Sequence, residues 1–182
     1  MIDSLVESRR TLLCDDPTSP DMAVPALLAA ELDDRTVAYA IAMRAPFEEL
    51  RRVAAQLAGI LVLSAAGSRE ATPGHPMLAL AGQALDEAID VIRTTTAPPQ
   101  GGHHHQHLTR AAAWIARALA HARSGSAPPG KVDVDGTLSL LRKGWQELQW
   151  TAGALPGFEI VALEQSCCAQ HGLTTGKSAS SV

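Results

Sequence analysis

Apolar residues recur at three- and four-residue steps through most of this chain, and that spacing predicts helices rather than strands. The clearest stripe is Phe47, Leu50, Ala54, Leu57, Leu61 and Ser64, with Glu48, Glu49, Arg51 and Arg52 lying off it. Asp33 and Asp34 precede it where carboxylates satisfy free N–H groups and suit the positive end of a helix dipole, so a long helix is predicted from there to about Ser64. Pro46 lacks a backbone donor and is expected to kink that helix or divide it in two. Val53 to Ala66, the most apolar run, contains Gln56 and is shorter than the roughly 20 residues that span a bilayer, so it reads as a buried helix.

The turn Thr72-Pro73-Gly74-His75-Pro76 opens a second helix to about Arg93, with a stripe of Leu78, Ala81, Leu85, Ala88 and Ile92. Thr94 to Gly102 reads as a flexible connection. A third stripe, Leu108, Ala112, Ile115 and Leu119, ends near Ala122, and Arg123 to Gly130 forms a further linker. Asp135 or Thr137 can cap a fourth helix, whose predicted core face is Leu138, Leu141, Trp145, Leu148, Ala152 and Leu155. Pro156-Gly157 breaks it. Phe158 to His171 is read as a final short helix closed by Gly172, with a strand as the alternative. Ahead of all these, Ile2 to Leu13 and Ser19 to Leu32 suit short helices, the second bent at Pro25.

Sustained stripes joined by Pro- and Gly-containing connections imply an all-α fold, an antiparallel bundle of four to six helices. The predicted organisation is one bundle domain over residues 1–172, with 1–32 as an N-terminal appendage and 173–182 as a disordered tail. Composition supports this. Hydrophobic residues make up 46% of the chain and aromatics 3%, so the apolar content is the helix-favouring Ala and Leu rather than large rings. Many alanines allow close helix approach and leave little interior room for a cofactor as large as haem.

A formal net charge of −4 provides no basic footprint for a phosphate backbone, so nucleic acid is not an expected partner. The apolar faces lack the basic border of a membrane-surface helix. No secretory signal is visible at the start, and three cysteines, an odd number, argue against a disulfide framework. The expected location is the cytoplasm.

Two clusters carry candidate chemistry. His103, His104, His105 and His107 offer several imidazoles, the side chain favoured by zinc, copper and nickel; after Pro-Pro-Gln-Gly-Gly they read first as a polar, mobile loop leading into a helix. Cys167, Cys168 and His171 sit at spacings that bring two or three ligands to one helix turn, a partial zinc or copper site that the histidine run or His121 would have to complete. Cys167 also continues the apolar row of Ile160 and Leu163, as a buried thiol packed like a small hydrophobe would.

His107, Trp114 and His121 recur every seven residues, bordered by Arg110 and Arg117. With Trp150, which lies off its helix's core stripe, they form a candidate interaction face or a half-buried boundary. Phosphate-binding glycine loops, nucleophile elbows, His-Glu-x-x-His and Glu-x-x-His pairs are missing, which favours a non-catalytic role. The expectation is an accessory, scaffold or regulatory bundle that acts through a protein partner or as a homodimer, with metal binding or delivery as the alternative.

Overall fold

The computed structural model describes residues 32–125 and 130–160. The helices expected before Leu32, the end of the last predicted helix with Cys167, Cys168 and His171, and the tail lie outside the described residues. Among those described there are four α-helices, one 3-10 turn and no strand.

Helix α1 spans Asp34–Ala65, and Asp33 caps it by accepting the Thr36 N–H at 2.7 Å. That bond holds the Asp33 carboxyl below the usual carboxylate range. α1 runs on through Pro46, whose ring is buried, so the predicted division does not occur. Its end is made by Gly67 at φ 80°, a left-handed position that favours glycine. There Gly67 N–H donates to the Ser64 carbonyl and Ser68 N–H to the Leu63 carbonyl, which satisfies two of the helix's last acceptors.

Helix α2 is Pro76–Thr94, with proline at its first position and the His75 imidazole accepting the Met77 N–H. All five residues of its expected stripe are buried. The supposed flexible connection contains a 3-10 turn, Pro99–Gly101, whose Gly101 is buried so closely against Tyr39 that a Cβ there would lie 2.9 Å from the ring. Helix α3 then runs Gly102–Ser124 and helix α4 Val134–Ala154, the latter capped by Asp133. The histidine run is therefore not a loop: it lies in the first two turns of α3.

The four helices alternate in direction. His107 meets Glu147 at one end of the α3–α4 seam and His121 meets Thr137 at the other. Arg123 reaches back to the Leu78 carbonyl of α2, and Arg44 of α1 donates to the Gly157 carbonyl beyond α4 at 2.6 Å. The core between them is Met43, Phe47, Leu50, Leu57, Ile60, Leu78, Leu85, Leu108, Ile115, Leu148 and Phe158.

Two faces differ from expectation. Val62, at 67% exposure, and Leu63 look outward although they belong to the run read as buried, because the helical period that turns Ile60 and Leu61 inward carries the next two positions around. On α4 the fully packed positions include Thr137, Gly144, Glu147 and Thr151, while Leu138, Trp145 and Ala152 are only half-buried. The cause is close approach to α3. A Cβ on Gly144 would sit 2.8 Å from the Ile115 side chain, so only glycine lets the two backbones come this near. Residues Phe158 to Ile160 are not helical.

Candidate functional site

Successive helical positions are about 100° apart, so a histidine run at the start of a helix points in several directions at once. His104 points inward and is sealed from solvent. Its Nδ1 lies 3.0 Å from the Tyr39 hydroxyl, its ring centre 4.1 Å from that of Phe158, and its Nε2 has no hydrogen-bond partner. Burial, reinforced by neighbouring His105 and His107, lowers its pKa to about 4. It is therefore a neutral imidazole at physiological pH. The Tyr39 hydroxyl is also 3.3 Å from Nδ1 of His105, and burial pushes the phenol's pKa up, which keeps it protonated. With one hydroxyl proton between two rings, one imidazole must donate for both bonds to form.

His103 and His107 share the opposite side, one turn apart. Nδ1 of His107 is 2.7 Å from a Glu147 carboxylate oxygen, and both residues are nearly excluded from water. Because a carboxylate only accepts, it draws the proton onto Nδ1 and leaves the Nε2 lone pair facing outward. That Nε2 lies 3.1 Å from Nε2 of His103, and the two rings meet edge to face at 4.4 Å. The row Glu147, His107, His103 runs from the helix seam to the surface. It opens on a cavity of about 450 Å³ bordered by Gln149, Trp150 and Gly153, in which the Trp150 ring is 5.3 Å from His107.

The other candidates are dispersed. His121 is fourteen residues beyond His107, about 21 Å along the axis. Its Nδ1 is 3.2 Å from the Thr137 hydroxyl, and its Nε2 is 3.7 Å from Asp133. Trp114 is half-buried with Arg117 and Lys143 each 4.7 Å from its ring centre, and Arg110 is exposed. The heptad row therefore follows the α3–α4 seam: its histidines bond to α4 within the chain, while Arg110, Arg117 and Trp150, the last 47% exposed, remain outside. Among the described residues no group of three or more His, Cys, Asp or Glu is arranged to hold a metal ion.

Glu147 and Tyr39 are the residues that sequence reasoning missed. A signal for Glu147 existed: Thr137, Gly144 and Thr151 recur every seven residues, a polar and small row on an otherwise apolar helix, and Glu147 falls beside it. Tyr39 carried no such mark.

A second concavity lies between α1 and α4, a groove of about 520 Å³. Ala54, Ala55 and Ala58 form one wall and Leu138, Leu141 and Trp145 the other, with Arg142, Gln146 and Gln149 along the rim. No helix among the described residues is long and apolar enough to cross a membrane. Compared with known proteins, the chain matches no family model, no curated protein and no solved structure.

Proposed function

We propose that this chain is a cytoplasmic, non-catalytic accessory bundle that binds a protein partner through the α1–α4 groove. The observation that carries this reading is the groove itself. Alanines on one wall leave space that a larger residue would fill, and Leu138, Leu141 and Trp145 supply apolar surface. Such a channel suits an amphipathic helix with apolar residues at three- and four-residue steps, since helix-in-groove recognition needs an open apolar trough between rigid walls. Arg142 on the rim favours an occupant with a carboxylate beside its apolar row. The occupant we favour is such a helix from a different protein; a second copy of this chain is an outcome that the experiment separates.

A photo-crosslinking residue placed at position 58 in the groove and at position 87 on the exposed side of α2 tests this, with light scattering on the purified chain. The reading expects one defined adduct from position 58, suppressed by Ala55→Arg, and none from position 87. A strict monomer that crosslinks equally, or not at all, from both positions overturns it.

A further inference from the structure

We propose that His103 and His107 chelate one late divalent transition-metal ion through their Nε2 atoms, copper(II) more tightly than zinc, with Glu147 positioning His107. This site is separate from the groove and does not rest on its having a partner.

A tetrahedral or square-planar ion with metal–nitrogen bonds of about 2.0 to 2.1 Å needs its two nitrogens roughly 2.9 to 3.4 Å apart. The two Nε2 atoms are 3.1 Å apart. The rings meet edge to face, with centres closer than a head-on N–H···N alignment would hold them, so the ring axes are inclined rather than collinear. Glu147 supplies what a bare histidine pair lacks. Its carboxylate on Nδ1 fixes the ring, selects the form with a free Nε2 lone pair and raises that nitrogen's basicity, as carboxylates behind metal-bound histidines do.

Without metal, His103 Nε2–H donates to His107 Nε2. On binding, His103 takes the tautomer with its proton on Nδ1, reached by exchange with solvent, which its exposed side chain allows. The remaining coordination positions face the cavity beside Gln149 and Trp150, where water completes the set. Two imidazoles with open positions follow the usual order of divalent affinities, which peaks at copper.

The test is titration of the untagged full chain with copper(II) and with zinc in a weakly competing buffer. Electron paramagnetic resonance counts the nitrogens on copper. The expected result is one ion per chain with two imidazole nitrogens, retained when Cys167, Cys168 and His171 are replaced by Ser, Ser and Asn. Glu147→Gln lowers affinity about tenfold. His103→Ala lowers it further, and His105→Ala leaves it within about twofold because that ring faces Tyr39. His103 is exposed, so its replacement tests the site even if His107→Ala fails to fold. Binding that survives His103→Ala, or that vanishes with the cysteines alone, overturns the proposal. Equal weakening by His103→Ala and His105→Ala also overturns it, since that is the behaviour of an unspecific histidine run.

Discussion

At the scale of single residues, His104 makes the fold sensitive to acid. Its pKa is lowered from 6.5 to about 4 by burial, with Tyr39 on Nδ1, His105 and His107 as ionisable neighbours, and Glu147 behind His107. The unfolded chain takes up the proton first as pH falls. The stability is therefore intact above about pH 6.5, declines from there to about pH 4, and this site accounts for roughly 3 kcal/mol of the loss. His104→Phe should flatten the fall in urea midpoint between pH 7 and 4.5 while the ring keeps its packing on Phe158; an unchanged slope would place the acid sensitivity elsewhere. The histidine run was plain in the sequence. Which of its members faces the core was not, because that depends on where α3 begins.

At the scale of helices, α2 and the long stripe of α1 were legible because a 3.6-residue period is a local property of the chain. Asp33 and Pro76 mark helix starts for equally local reasons. Of the two outcomes expected at Pro46, division does not occur: the proline forfeits one hydrogen bond, yet α1 continues through it with the ring buried. On α4 the expected Leu141, Leu148 and Leu155 are buried, but the packed face also takes in Thr137, Gly144 and Thr151, because α3 lies against them.

Glycine substitutions separate the two influences. Gly59→Ala, with nothing within 4 Å of the new methyl, should gain about 1 kcal/mol from helix propensity alone. Gly144→Ala gains the same propensity but meets Ile115 and the Ala111 backbone carbonyl, so overpacking of about 1 to 3 kcal/mol should leave it destabilised. Thermal melts of the two variants should move in opposite directions; a rise in both would show that α3 and α4 can separate at little cost.

At the scale of the whole molecule, the segment after α4 closes one end of the bundle. Phe158 is buried, edge to face with Phe47 at 5.1 Å and against His104, and Arg44 holds the preceding Gly157 carbonyl. Phe158→Ala should cost about 3 to 5 kcal/mol and expose His104 to water, so its melting temperature should fall and the acid dependence of stability should shrink. A variant with unchanged stability would mean that this end is not sealed by Phe158.

The sequence by itself determined that the chain is helical, where its long helices run and which side of α2 is apolar, because propensity, capping and period act over a few residues. Only the tertiary structure decided that His107 meets Glu147 forty residues away, that His104 is buried beside Tyr39, and that His121 stands apart at the other end of the seam. The two α4 contacts depend on how α3 and α4 lie against each other, close enough that a Cβ on Gly144 would meet Ile115, and the Tyr39 contact on how α1 lies against α3; such long-range placements are not a local property of the chain.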